Sequence, residues 1–385
     1  MKTRWLRLLL LPLLALVVDR AGAGEPYWQF LEGLRQRRYY DYALLYLDQL
    51  AADSSVPTEV RDVLPYERAV TLLQSAQTLR SPQAQAQQLD EALKLFDQFV
   101  QAHPNHPKVA EANSQRARVL FDKGRVRVWQ IQSTSDESDR QSLQEEARAL
   151  FEQARRILRD AQERYDAALK KFPTYIDERT QADLYEQRKK VEAALVSTKL
   201  RLALSTYYEA QTYDPGSQSF RRLLAEACDQ LGKIYEPYRT QVGGLYARLW
   251  QAKCFEEQGD VRRALGIYKD LLNHPGRSPQ MQRLKDQAFH FRLICLNHEK
   301  RKDYALAVQQ AQEWLKTRRG AASRTSEALA VRWQLALAQE RLARQRTRKP
   351  KERERLLQAA IDQLRLVSKY PGEFQDRAKA KLREL

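Results

Sequence analysis

From residue 43 onward, apolar residues recur at intervals of three and four positions, and short polar breaks separate one such segment from the next. This spacing places the apolar side chains on one face of an α-helix. Ala, Leu, Gln, Glu and Arg, which favour helices, are abundant, whereas β-branched residues are sparse. Only 13 glycines and 14 prolines are available for turns among 385 residues. The pattern therefore predicts an all-α protein of long helices joined by short connections.

The segment 125–240 keeps helical spacing over unusually long stretches. We predict helices at 140–171, 179–211 and 217–237. Such helices would form elongated hairpins that continue a single stack. The alternative is a separate helical domain between two repeat arrays.

Two segments share an order of features that indicates a repeated unit: a first helix, a turn, and a second helix with a small residue that is followed four positions later by an aromatic residue in the first segment and by Ala311 in the second. They run from 245 to 275 and from 288 to 319. The order is carried by Ala252, Phe255, Gly259, Asp260, Ala264 and Tyr268 in the first segment, and by Cys295, Lys302, Asp303, Ala307, Ala311 and Trp314 in the second. Weaker copies precede and follow these two.

This order resembles that of the tetratricopeptide repeat. The resemblance implies antiparallel helical hairpins stacked into a right-handed superhelical solenoid, because each hairpin has an apolar face that only its neighbours can bury. It also implies a concave groove lined by the first helix of each hairpin. Residues 1–24, which have the features of an export signal, the long helices, and the segments 234–239 and 244–248 together resemble the exported tetratricopeptide-repeat proteins of planctomycete-type bacteria. This resemblance implies protein–protein scaffolding in the cell envelope.

These patterns divide the chain into five parts. They are a signal peptide (1–24), degenerate repeats (25–124), long atypical hairpins (125–240), the best-matching repeats (241–320), and a degenerate repeat with a capping helix (321–385). The long atypical hairpins depart most from the spacing of the repeat.

The first 24 residues have the features of a secretory signal peptide. Basic residues precede an apolar run at 8–18, and small residues follow it at 21–23. The run is about half the length of a bilayer-spanning helix, so a retained membrane anchor is the less favoured alternative. We therefore expect cleavage after Ala23 or Gly24 and an exported protein, either periplasmic or secreted.

The chain is strongly basic, with 66 Lys and Arg residues against 49 Asp and Glu. Cleavage after Ala23 would remove four basic residues and one acidic residue, and would lower the formal net charge from +17 to +14. A charge of this size favours contact with anionic lipid, acidic envelope polymers or acidic proteins. Export argues against nucleic acid as a partner.

The sequence lacks the spacings that catalytic, phosphate-binding and metal-binding motifs require. His103 and His106 lie close together without a further nearby ligand, so we interpret them as turn residues rather than as a metal site. Cys228, Cys254 and Cys295 are widely spaced, and we expect small buried residues, with one disulfide and a free thiol as the alternative. We expect no cofactor, no metal and no enzymatic activity.

These observations favour a non-catalytic exported scaffold whose groove holds an extended or helical segment of another protein. If the first helix of each hairpin lines the groove, its better-aligned copies nominate partner-binding residues. These are Tyr246, Lys253, Glu256, Phe289, Arg292 and Glu299. The alternative is an envelope adhesion or assembly factor that binds anionic polymer or lipid through its basic surface. The sequence assigns no oligomeric state.

Overall fold

The computed structural model describes residues 27–79, 81–134, 136–345 and 347–385. In these ranges every regular element is helical and none is a strand, so the all-α prediction is confirmed. No helix there combines the length and the apolar character that crossing a membrane requires. The predicted signal peptide at 1–24 lies outside the described residues.

The α-helices follow one another with short connections. In chain order they are α1 (Tyr27–Gln36), α2 (Tyr40–Ala52), α3 (Thr58–Arg61), α4 (Leu64–Ala76), α5 (Pro82–Ala102), α6 (Val109–Ser133), α7 (Glu137–Leu169), α8 (Ala182–Ala210), α9 (Gln218–Tyr235), α10 (Val242–Glu257), α11 (Val261–Asn273), α12 (Pro279–Asn297), α13 (Tyr304–Lys316), α14 (Ser326–Ala343), α15 (Pro350–Ser368) and α16 (Gln375–Glu384). A short 3₁₀ helix, Gly320–Arg324, precedes α14.

The helices pack in the order of the sequence. From α4 onward each long helix contacts the next one along the chain, and the even-numbered helices from α2 to α14 also contact one another in succession. We call helices α6, α8, α10, α12 and α14 the inner row. Such sequential packing is consistent with a helical repeat array.

The three long central helices lie where the spacing predicts them, as α7, α8 and α9. They are continuous with their neighbours, because one apolar cluster joins residues of α8 to α12. Helices α6 and α7 lie very close together at Gly124. A Cβ atom there would lie 2.5 Å from the Phe151 ring, so only glycine allows this packing.

Two hairpins turn in the same way. Gly259, between α10 and α11, has φ of 83°, and Lys302, between α12 and α13, has φ of 54°. Asp260 and Asp303 follow directly as N-caps, and the Asp260 side chain accepts a hydrogen bond from the backbone of Arg263. Both turns fall at the positions that the repeat pattern predicts. The second one places a lysine in a left-handed conformation that costs L-residues about 1 kcal/mol.

The cysteines are part of this packing. Cys228, Cys254 and Cys295 are buried and form no disulfide, as expected for small apolar residues. All three belong to the apolar cluster that joins α8 to α12.

Candidate ligand-binding cavity

The inner row encloses a cavity of about 900 Å³. Each of its helices contributes one stripe of side chains at intervals of three and four residues, which is one face of a helix. The wall is completed by the segment 370–377, which runs from the end of α15 into the first turn of α16, and by a few residues of α4, α5 and α15 and of the connection that follows α4. The volume lies within the range of about 300 to 1,000 Å³ that is usual for ligand pockets in proteins.

Four aromatic rings cross the inner row, one from each of four successive helices. We call Phe121, Tyr208, Trp250 and Phe291 the aromatic row. Neighbouring ring centroids are 5.7, 5.6 and 5.5 Å apart, and every contact is edge-to-face. Such contacts stabilise beyond the area that they bury, so the row fixes the positions of four helices and gives the cavity a rigid apolar surface.

A set of paired charges lies beside this surface on α10, with Lys253 and Glu257 on the cavity wall. Lys253 Nζ bonds Glu256 Oε1 and lies 3.2 Å from Glu257 Oε1. The Glu257 carboxylate also accepts hydrogen bonds from Tyr207 and Gln211 of α8, at 2.5 and 2.6 Å. We call these residues, with Tyr268, the lysine network, because both carboxylates pair with one ammonium group.

The charged groups of the lysine network are buried, and burial shifts their pKa values. Lys253 is 12% exposed and Glu256 is 4% exposed. Burial lowers the pKa of Lys253, but the charges of Glu256 and Glu257 outweigh it and raise that pKa above its ordinary value. Burial raises the pKa of Glu256, although Lys253 and a hydrogen bond from Tyr268 at 3.3 Å oppose this change. Removing one member would leave a buried charge without its partner.

A second charged set lines the cavity on α6 and α8. We call Arg118, Asp122, Arg125 and Arg201 the arginine cluster. Arg125 lies 3.4 Å from the Asp122 carboxylate, and its guanidinium carbon lies 5.4 Å from the centroid of the Tyr208 ring. Among the described residues, no carboxylate lies within 4 Å of Arg118 or Arg201. Asp122 therefore faces three guanidinium groups, of which Arg125 also interacts with the charge of Glu373.

The two arginines without an ion-pair partner affect one another. Burial lowers the pKa of Arg201 to about 10, and repulsion from Arg118 contributes, while Asp122 opposes both effects. Burial likewise lowers the pKa of Arg118. Arg201 donates one long hydrogen bond, 3.4 Å, to the Ser197 hydroxyl. Positive charge thus accumulates at this point of the wall, where the Asp122 carboxylate offsets only part of it.

The segment 370–377 covers the far end of the cavity. The Phe374 ring stacks on Trp333 with centroids 6.0 Å apart, and it meets the His290 ring edge-on at 5.9 Å. The Arg377 guanidinium lies over the rings of Trp333 and Phe374. Burial raises the pKa of Glu373, and Arg377, Arg125 and Lys253 oppose this rise.

His290 contributes an uncharged polar atom to the wall. Its Nε2 atom is buried and has no hydrogen-bond partner among the described residues. Burial lowers the pKa of His290 to about 3, and the charges of Lys253 and Arg377 act in the same direction. The imidazole is therefore neutral at physiological pH.

The structure brings two of the six predicted groove residues, Tyr246 and Lys253, to the cavity wall. They lie on the same stripe of α10 as Trp250 and Glu257. Glu256 lies behind this wall, where it holds the lysine network together.

The other three predicted residues lie away from the cavity. Helix α12 presents a different stripe, including His290, to the wall. Phe289 is buried elsewhere, with its ring nearly parallel to that of Trp314 at 5.5 Å. Arg292 is half-buried, and Glu299 is exposed beyond the end of α12. Partner binding by the six residues stays a prediction.

Sequence reasoning did not single out Arg118, Arg125 or Arg201. Arg118 lies in the degenerate repeats and the other two in the long atypical hairpins, so the best-matching repeats did not indicate which face they occupy. Arg118, Asp122, Arg125 and Trp129 do follow one helical stripe, but a solvent-exposed basic face has the same spacing.

The described residues contain no group of three or more His, Cys, Asp and Glu side chains that could hold a metal ion. His103 and His106 pack against the Phe99 ring, at 5.5 and 5.4 Å. His106 Nδ1 also accepts a hydrogen bond from the Lys108 backbone at 3.1 Å. The two histidines therefore make turn contacts, in line with their interpretation as turn residues.

No model of a known protein family matches the chain, and no curated protein matches it in sequence. The cavity and its chemistry therefore carry the functional interpretation.

Proposed function

We propose that this protein is a non-catalytic helical-repeat scaffold that holds a segment of another protein in the cavity of its inner row. One observation supports this most directly: five helices present their stripes to a single cavity with a rigid aromatic surface. A surface of this kind suits the apolar side chains of a peptide, and the polar groups around it can fix the register of the peptide.

The proposed architecture is a right-handed superhelical solenoid of the tetratricopeptide type. Two features support it: the common left-handed turn at Gly259 and Lys302, and the succession of contacts between even-numbered helices. In this arrangement α10 to α13 are the regular repeats, and α7 to α9 are elongated versions of the same hairpin. The inner row then corresponds to the concave side.

The proposed location is the cell envelope, after export directed by residues 1–24. The basic composition, with a net charge of +14 after cleavage, would raise the rate of encounter with acidic partners there. Salt should slow this encounter, whereas packing in the cavity should resist salt.

The test fills the cavity without changing charge. Gln287→Trp places a large side chain on the cavity wall of α12, and Gln309→Trp places the same side chain on the exposed surface of α13 as a matched control. Partners are captured from an envelope extract at low and at high salt. We expect a discrete protein that stays bound at high salt to the unsubstituted protein and to Gln309→Trp, and that is lost from Gln287→Trp.

Equal capture by both variants would contradict the proposal, because the cavity would then play no part. Heterogeneous anionic material that washes off with salt from every variant would favour the other function, binding of polymer or lipid through the basic surface.

A further inference from the structure

We infer that Arg118 and Arg201 form an anion-binding subsite of the cavity, and that it receives one carboxylate side chain of the bound peptide segment. This inference rests on the proposed function and names the chemistry of the segment. It follows from the charges around the two arginines, from their place on the wall, and from the acidic groups elsewhere in the cavity.

Positive charge exceeds negative charge around Arg118 and Arg201. Asp122 is the one carboxylate within the arginine cluster, and its ion pair is with Arg125. Glu373, the acidic group that the C-terminal segment contributes to the cavity, is near Arg125, Arg377 and Lys253. Arg118 and Arg201 remain without an ion pair among the described residues. Partly buried guanidinium groups in this situation bind a carboxylate strongly, because the fork of N–H donors matches its two oxygens.

The position of Arg118 and Arg201 beside the aromatic row favours a peptide over a lone ion as the ligand. Arg118 precedes Phe121 by one helical turn, so the subsite adjoins the first ring of the aromatic row. An acidic side chain held by the arginines would carry its neighbours onto Phe121 and Tyr208. A segment with apolar or aromatic residues beside the acid therefore fits both surfaces at once.

The other acidic residues of the wall limit the ligand to one carboxylate at this position. Glu257, Glu327 and Glu373 also line the cavity, on three other elements. A chain with a negative charge at every residue would be repelled where it passes these three carboxylates. A segment with a single acid between apolar residues avoids this repulsion.

The test selects ligands without assuming a sequence. A phage-displayed library of random dodecapeptides is selected on the purified protein, on Arg118→Gln/Arg201→Gln, and on Arg159→Gln/Arg262→Gln. The last variant loses the same charge at two exposed arginines of α7 and α11, outside the cavity. We expect peptides with one Asp or Glu flanked by apolar residues on the unsubstituted protein and on this control. We expect that preference to disappear on Arg118→Gln/Arg201→Gln.

One selected peptide is then compared with a version in which its acidic residue is replaced by Gln. Fluorescence polarisation measures the affinity of both peptides for the unsubstituted protein and for Arg118→Gln/Arg201→Gln, which completes a double-mutant cycle. Replacing the acid should weaken binding about tenfold on the unsubstituted protein, in the range of charge-assisted pairs, and should have no further effect on Arg118→Gln/Arg201→Gln. Circular dichroism and thermal melting confirm that each variant is folded.

The possible failures are distinguishable. Selected peptides that Gln287→Trp excludes but that show no acidic preference would overturn the carboxylate subsite and leave the proposed function intact. If no selected peptide is excluded by Gln287→Trp, both fail together. If inorganic pyrophosphate binds at micromolar concentration and needs Arg118 and Arg201, the subsite is one for phosphoryl groups and the carboxylate assignment is wrong.

Discussion

The lysine network and the arginine cluster line the same cavity, but they balance their charges differently. In the lysine network, one ammonium group lies between two carboxylates, and hydroxyl and amide groups satisfy the remaining oxygens. In the arginine cluster, the Asp122 carboxylate faces three guanidinium groups. The two sets are joined by the aromatic row, so they belong to one continuous wall.

This difference separates a structural role from a binding role. A buried charge that loses its partner costs several kcal/mol, so a closed network constrains the helices that supply it. Uncompensated charge persists where water or a ligand can reach it, because solvation then offsets the cost. We therefore interpret the lysine network as a fixed part of the wall and the arginine cluster as a part that is free to bind.

Removing the ammonium group of the lysine network should have the largest effect on stability. Lys253→Met keeps the length of the side chain but leaves Glu256 and Glu257 as neighbouring buried carboxylates. We expect the free energy of unfolding to fall by about 3 to 5 kcal/mol in urea denaturation at neutral pH. Lys269→Met, on the exposed face of α11, is the control and should change it by less than about 0.5 kcal/mol. Similar values for the two variants would show that the network is not a structural unit.

A smaller effect is expected from pH, through His290. The unfolded imidazole takes up a proton near its ordinary pKa of 6.5, whereas the folded one stays neutral down to about 3. The unfolded state therefore binds more protons within this window, and stability falls as the pH drops through it. Between pH 7 and pH 4.5, the unfolding free energy should fall by about 2 kcal/mol more for the unsubstituted protein than for His290→Gln. Parallel pH profiles of the two proteins would contradict a buried neutral imidazole.

The smallest effect is expected at the arginine pair. Arg118→Gln/Arg201→Gln removes two like charges that have no ion pair, so the unfolding free energy should stay the same or rise by less than about 1 kcal/mol. Thermal and urea denaturation at low salt measure it. A loss of more than about 2 kcal/mol would mean that the pair stabilises the fold, which would remove the distinction from the lysine network.

Local patterns were enough to predict the helices and the turns. The spacing of apolar residues gave α7, α8 and α9 to within a few residues at each end. Gly259-Asp260 and Lys302-Asp303 were predicted as turns from their place in the repeat pattern, and the structure places a left-handed residue followed by an N-cap aspartate at both. The cavity was less predictable, since only Tyr246 and Lys253 of the six nominated residues reach its wall.

The sequence by itself determined that the protein is helical, where the three long central helices lie to within a few residues, and that it is basic. Hydrogen bonding within a helix depends on nearby residues, and net charge depends on composition. Only the tertiary structure decided which stripe of each helix faces the cavity, since that rotation depends on the packing of both neighbouring helices. For the same reason, packing alone placed Phe289 away from the wall and brought Arg118 of α6 beside Arg201 of α8.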